Sequence, residues 1–87
     1  MAKVSCTAPT VHHLNAIKSL CGDYKKHLDG SLSFQSSFPS YDEALIFLRD
    51  RADHLSELHG QDADEMYDTI RKYGFVEYDT LRLTAVR

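Results

Sequence analysis

Cysteine and histidine are the residues with the greatest capacity for chemistry in this chain, and most of them fall within its first third. Zinc prefers thiolate and imidazole ligands. One candidate ligand set is Cys6, His12 or His13, Cys21 and His27. Zinc knuckles and fingers hold their ligands in close pairs such as Cys-x-x-Cys, whereas these spacings are irregular. We therefore predict no metal site, two cysteines in the core and histidines scattered over the surface.

Nucleophilic catalysis needs a cysteine or serine beside a histidine that a third group orients. One short segment contains the residue types: Cys21, Asp23, His27 and Asp29. No glycine-rich turn accompanies them to expose a nucleophile or to bind a phosphate. The sequence therefore predicts no catalytic residue and no cofactor, and it indicates a protein that is not an enzyme.

Nucleic-acid binding would require a basic surface, preferably interleaved with aromatic side chains. The only basic cluster is Tyr24-Lys25-Lys26-His27, in a chain whose net charge is −3. Phe34 and Tyr78 could stack on bases from an open sheet, but both rings are better suited to the core. A homo-oligomeric regulatory or accessory subunit that binds nucleic acid through its N-terminal half is therefore the alternative hypothesis.

Negative charge is concentrated in the second half of the chain. Residues 1–40 contain four lysines against two aspartates, whereas residues 41–87 contain six basic against eleven acidic residues. The cluster of interest comprises Asp50, Asp53, Glu57, Asp62, Asp64, Glu65 and Asp68. Acids at a helix N-terminus stabilise it by about 0.3–1 kcal/mol each, and solvated charge runs are common. Four acids within residues 62–68 nevertheless exceed what capping requires, so we predict an acidic surface that docks on a basic protein partner.

Large apolar side chains lie close to these carboxylates in the sequence. Ile46, Phe47 and Tyr41 belong to the start of one predicted helix, and Tyr67 belongs to the outer side of the next. Aromatic anchors with a charged rim are typical of protein interfaces. Tyr67 and Phe47 are therefore included among the predicted partner-binding residues. A homodimer through this patch, or through a sheet edge, fits the same pattern.

Two helices are delimited by their own capping signals. Ser40 and Asp62 each precede a glutamate by three residues, which is the pattern of a capping box. Gly60 and Gly74 stand where a left-handed residue would end each helix. We expect helices from Ser40 to about Leu58 and from Ala63 to Tyr73. The predicted inward residues are Ala44, Leu45, Leu48, Ala52, Leu55 and Leu58 in the first, and Met66, Ile70 and Tyr73 in the second.

The remaining elements follow from hydrophobic periodicity. Alternation predicts strands at residues 2–7, 31–38 and 75–86. Helical spacing predicts a helix from Val11 to Leu28, with a bend or break at Gly22. The result is one α+β domain over residues 1–87, a three-stranded sheet covered on one face by helices in the order β-α-β-α-α-β. Its first two strands would form a parallel pair through a right-handed crossover.

No signal peptide or membrane-spanning stretch is recognisable, so the expected location is the cytoplasm without membrane contact. A small acidic domain without chemical motifs is similar in kind to small phage-encoded inhibitors, anti-CRISPR proteins among them. That similarity rests on size and character alone, and it implies an inhibitor or regulator that blocks a basic partner surface by charge and bulk. The predicted target is a protein with a basic surface, and a nucleic-acid-binding complex is one candidate.

Overall fold

The protein folds as one layer of antiparallel strands under one layer of helices. A computed structural model describes residues 1–87 and measures 34 × 32 × 16 Å, so only a single helical layer fits over the sheet. In chain order the elements are β1 (Ala2–Ala8), a 3₁₀ turn (Val11–His13), α1 (Leu14–Cys21), β2 (Lys25–Lys26), β3 (Leu32–Phe38), α2 (Tyr41–His59), α3 (Ala63–Tyr73), β4 (Phe75–Tyr78) and β5 (Leu81–Val86). The sheet order is β2-β3-β1-β5-β4.

The predicted α+β class is confirmed, but the predicted three-stranded sheet is wrong because the sheet has five strands. The first additional strand arises where α1 ends early. Gly22 adopts a left-handed conformation with φ 83° and its N–H bonds back to Lys18, which terminates the helix at Cys21. A left-handed residue of this kind is a common helix stop, and glycine adopts it without steric cost. The chain then forms β2, so Leu28, the predicted last residue of the helix, lies outside it and is fully exposed.

The second additional strand arises because the predicted strand 75–86 is a hairpin. Asp79 has a φ of 59°, a turn conformation that aspartate tolerates better than most residues. The turn separates β4 from β5, which pair with Val76 opposite Leu83. Apolar residues alternate on both sides of the turn, but the inward positions change from Val76 and Tyr78 to Leu81 and Leu83, a shift of parity that the prediction of one strand overlooked.

The predicted parallel pairing of the first two long strands is also wrong. β1 and β3 are antiparallel over their full length, from Ala2 opposite Phe38 to Ala8 opposite Leu32. The reason is topological, since β2 and the turn at Asp29–Gly30 reverse the chain once more between α1 and β3. The order β-α-β-α-α-β is therefore replaced by β-α-β-β-α-α-β-β.

The core lies between the sheet and the helices. It receives alternate residues of β1 and β5 and one stripe of each helix, and its largest buried side chains are Ile17, Leu20, Leu32, Leu48, Leu55, Ile70 and Leu83. Val4 and Cys6 of β1 face inward, and the prediction that Cys6 lies in the core is confirmed. Leu58 and Tyr73, predicted to face inward, are 57% and 69% exposed because they lie in the last turns of α2 and α3.

Both long helices begin and end where the capping signals predict. The Ser40 hydroxyl accepts a hydrogen bond from the Glu43 amide, and the Asp62 carboxylate accepts from the amides of Asp64 and Glu65. Gly60 and Gly74 are left-handed and close the helices. The glutamate carboxylates make no bond back to the caps, so only the N-cap half of each predicted box is formed. These caps fix α2 and α3 as an antiparallel pair that forms the outer surface of the helical layer.

Candidate functional site

An open groove between α2 and α3 is the largest concave feature of the surface. Its volume is about 550 Å³. The lining residues are Asp42, Leu45, Ile46 and Arg49 from α2, and Asp64, Tyr67, Asp68, Ile70 and Arg71 from α3. Ile46 is 63% exposed, which is unusual for an isoleucine in the middle of a charged helix. The groove therefore combines an apolar centre with charged walls.

Tyr67 occupies the wall between the two helices and is held there from both sides. Its hydroxyl donates a hydrogen bond to the Asp53 carboxylate. The Arg49 guanidinium lies 5.0 Å from the centroid of its ring, within cation–π range. Because the ring is fixed before any partner arrives, little side-chain entropy would be lost when it is covered.

The predicted acidic residues separate into two groups by their contacts. Asp62 caps α3, Asp53 accepts from Tyr67, and Asp68 pairs with both Arg71 and Lys72. These three carboxylates therefore have intramolecular partners. The other four, Asp50, Glu57, Asp64 and Glu65, are exposed and form no salt bridge or side-chain hydrogen bond.

The contacts of Asp68 also alter its ionisation. Lys72, and next to it Arg71, hold the pKa of the Asp68 carboxyl below its ordinary value. Asp68 is therefore charged at neutral pH, but its charge is balanced locally. The remaining negative potential of this surface comes from carboxylates without partners.

Two exposed acids in the first turn of α2 extend the same surface. Asp42 lines the groove, Glu43 follows it in the first turn of α2, and neither side chain has a partner. We name the six unpaired carboxylates the acidic surface: Asp42, Glu43, Asp50, Glu57, Asp64 and Glu65. Asp42 and Glu43 are absent from the predicted partner-binding residues, because the capping box that begins at Ser40 explained their presence. Arg49 and Arg71 are likewise absent, although a helical-wheel comparison of α2 with α3 would have placed them at the groove.

Phe47 does not line the groove. Its ring is half-buried against the sheet, stacked on Phe34 with centroids 5.9 Å apart and tilted against Phe38 at 5.3 Å. Tyr78 similarly stacks on His59 at 4.6 Å. Phe34 and Tyr78 therefore pack on the helical side of the sheet, as the preference for the core predicted.

The two cysteines are buried, as predicted, and their thiols are in contact. Cys6 on β1 and Cys21 at the end of α1 are 3% and 4% exposed. The hydrogen bond with Cys6, reinforced by burial, raises the pKa of the Cys21 thiol above its ordinary value. The same interaction with Cys21 lowers the pKa of the Cys6 thiol. Cys21, a buried thiol with a raised pKa, is a poor nucleophile, and both side chains contribute packing to the core.

Three of the five histidines make separate side-chain hydrogen bonds. His13 bonds to Thr80, His27 to Ser33 and His59 to Ser19. No group of three or more histidine, cysteine or acidic side chains is arranged to hold a metal ion. None of the helices combines the length and the apolar character needed to cross a membrane.

The open face of the sheet has a different character from the helical layer. Alternate residues of its strands point away from the helices, and many of them are hydroxyl or amide side chains: Ser5, Thr7, Ser33, Gln35, Ser37 and Thr84. Lys3, Lys25 and Arg82 supply positive charge on this face, where Arg82 pairs with Glu77 at 3.2 Å.

Comparisons with protein-family models, with curated proteins and with solved structures find no match for this chain.

Proposed function

We propose that the protein is a binding module that acts as an inhibitor or regulator by covering a basic surface of a protein partner. The observation that carries this proposal is the open groove, where exposed Ile46 lies beside the unpaired carboxylates Asp42 and Asp64. A third unpaired carboxylate, Asp50, lies in the adjoining depression, which shares Ile46, Arg49 and Tyr67 with the groove. Apolar groups at the middle of an interface supply affinity, while the charges at its rim steer the approach and select the partner.

The charge balance of this region supports the same reading. Residues 41–73 carry nine acidic against four basic residues. One of the four, Arg51, donates hydrogen bonds to the backbone oxygens of Ser19 and Leu20 and is directed away from the groove. Arg71 and Lys72 are balanced by Asp68. The region therefore presents a strong excess of negative charge to an approaching partner.

Occlusion is the mechanism that these features favour. A rigid helical pair that covers a basic surface blocks access to that surface without chemistry. Where the covered surface normally contacts nucleic-acid phosphates, the acidic surface would replace the phosphate charges as its counter-ion.

The decisive experiment compares two variants that change the net charge equally. D50N/D64N removes one unpaired carboxylate that lines the groove and one in the adjoining depression, whereas D23N/D79N removes two carboxylates elsewhere. Both tagged variants and the parent chain are used to capture proteins from nuclease-treated extract of the cells of origin. Bound protein is then eluted with rising salt.

We expect the parent chain and D23N/D79N to retain the same basic protein, and D50N/D64N to retain much less of it. Retention should fall as ionic strength rises, because exposed charges are screened beyond roughly 10 Å at 0.1 M salt. Equal retention by D50N/D64N and D23N/D79N would contradict the proposal. So would a partner that stays bound but keeps its own ligand fully accessible.

A further inference from the structure

The outer edge of β3 is only partly covered. β1 pairs with β3 along its whole length on one side. On the other side, the two residues of β2 pair only with Leu32 and Ser33, because the chain enters β2 from α1 at this point. Residues 34–38 therefore have no neighbouring strand on that side, and no side-chain hydrogen bond covers Gln35, Ser36 or Ser37.

Backbone geometry identifies which groups are available at this edge. The Ser31 carbonyl accepts a hydrogen bond from the His27 amide across the edge, with the two atoms 2.9 Å apart. In an extended strand, every second residue directs its N–H and C=O to the same side. Gln35 and Ser37 therefore point their backbone donors and acceptors towards the uncovered side.

The side chains of this edge offer none of the usual protection against pairing. Proteins commonly guard sheet edges with lysine, other charges or proline. The β2 edge has Lys25 and Lys26, and the short β4 edge has Glu77. Residues 31–38, in contrast, contain no charge, no proline and no glycine.

We propose that the free edge of β3 pairs with the same edge of a second copy of this chain, in an antiparallel arrangement about a two-fold axis at Ser36. Gln35 then lies opposite Ser37 of the second copy, and the reverse pair forms by symmetry. Four backbone hydrogen bonds join the two sheets into one. This interaction goes beyond the proposed function and does not depend on it.

The side chains and the ends of the strand fit this register. Phe34 comes to lie opposite Phe38 of the second copy on the helical side, where aromatic cross-strand pairs are favourable. The pairing ends at Phe34. Ser33 is already paired with Lys25, and the residue of the second copy that would lie opposite it is Pro39, which has no N–H to donate. The length of the free edge and the length of the proposed pairing therefore agree.

Charge complementarity at the flanks supports a second copy as the occupant. Lys26 is opposite Leu32 and so belongs to the helical side of the sheet. In the proposed register it approaches the start of α2 in the second copy, where Asp42 and Glu43 are exposed. Two such contacts form per dimer, and they bring opposite charges together.

The register predicts the outcome of a charge exchange at two positions. In Q35K/S37K, each new lysine lies opposite a lysine of the second copy, whereas in Q35E/S37K each lysine lies opposite a glutamate. Both variants carry lysine at position 37, which faces Lys3 of the same chain, and they differ only at position 35, which faces Ser5. We expect the dimer of Q35K/S37K to be at least about tenfold weaker than that of Q35E/S37K, since opposed like charges destabilise a strand pair and unlike charges stabilise it.

Sedimentation equilibrium of the parent chain and both variants measures this difference, and circular dichroism checks that each variant is folded. Thr84→Lys adds a lysine to the same face two strands from the edge and should leave association unchanged. Independently, the amides of Gln35 and Ser37 should exchange more slowly with solvent as the parent concentration rises. A parent chain that stays monomeric, equal association of the two charge variants, or exchange independent of concentration would each overturn the proposal.

Discussion

The helical layer and the open sheet face of this molecule differ in both charge and shape. The α2–α3 side is grooved, acidic and centred on exposed Ile46, whereas the sheet face bears hydroxyl groups and the cations Lys3, Lys25 and Arg82. Both surfaces are built on the same core, so α2 packs against the rest of the protein on one side and is exposed on the other. Under the proposed function, substitutions on the exposed side should change partner binding without unfolding the helix.

The sharpest test of that separation compares two neighbouring positions of α2. Leu48 is fully buried and Ile46 is 63% exposed. Leu48→Ala should lower the free energy of unfolding by about 2–5 kcal/mol, because it removes buried methyl groups and leaves a cavity. Ile46→Ala should lower it by less than about 0.5 kcal/mol, as expected for an exposed position. Urea denaturation with circular dichroism measures both values.

The same pair of variants separates stability from binding. Ile46→Ala should weaken the capture of a basic partner although the protein remains folded, because it removes the apolar centre of the groove. A large loss of stability in Ile46→Ala would show that its side chain packs in the core. That result would remove the distinction between the two sides of α2.

Two arginines of α2 provide a second comparison between its packed side and its groove side, with an intermediate expected effect on the free energy of unfolding. Arg51 donates from Nε and a terminal nitrogen to the carbonyls of Leu20 and Ser19, at 3.0 and 2.9 Å. These carbonyls lie at the C-terminal end of α1, where unpaired oxygens and the helix dipole favour a cation. Arg49, on the groove side, contacts only the Tyr67 ring.

Arg51→Met should therefore lower the free energy of unfolding by about 1–3 kcal/mol, since it leaves two partly buried carbonyls without a charged donor. Arg49→Met should cost less than about 1 kcal/mol, the value of an exposed cation–π contact. Thermal and urea unfolding of both variants provide the measurement. Equal effects of the two substitutions would mean that the cap of α1 contributes no more than the surface contact.

Local signals explain why the α2–α3 half was predictable from the sequence and the N-terminal half was less so. Ser40, Asp62, Gly60 and Gly74 encode helix ends through their own side chains and backbone, so the bounds of α2 and α3 followed directly. The end of α1 depends on Gly22, which the sequence marked only as a weak point. The turn at Asp79 was hidden because apolar residues alternate on both sides of it.

The candidate site was predictable in composition but not in its contacts. A helical wheel shows that Asp50, Asp64 and Tyr67 are off the buried stripes. It does not show that Tyr67 reaches Asp53 across the helical pair, or that Phe47 turns towards Phe34 on the sheet. Such contacts depend on how α2, α3 and β3 are placed relative to one another, and that placement is set by long-range packing.

The smallest expected effect on stability concerns Asp68. This residue lies on the acidic side of the molecule, but its charge is balanced by Lys72 and Arg71. These cations lower the pKa of the Asp68 carboxyl in the folded state. A lowered pKa means that the carboxylate contributes stability at pH values above the unfolded pKa of about 4 and that this contribution is lost as pH falls through the folded pKa. Because the pairs are exposed, the contribution is small.

Asp68→Asn should therefore be slightly less stable than the parent chain at neutral pH, and the difference should disappear in acid. Urea denaturation across the acid range measures both curves. In a Lys72→Met background the effect of Asp68→Asn should shrink, since the main cause of the lowered pKa has been removed. If the difference between parent and Asp68→Asn persisted unchanged into acid, the side chain would stabilise α3 by a route other than its charge. The division of the acidic residues into paired and unpaired groups would then need to be redrawn at this position.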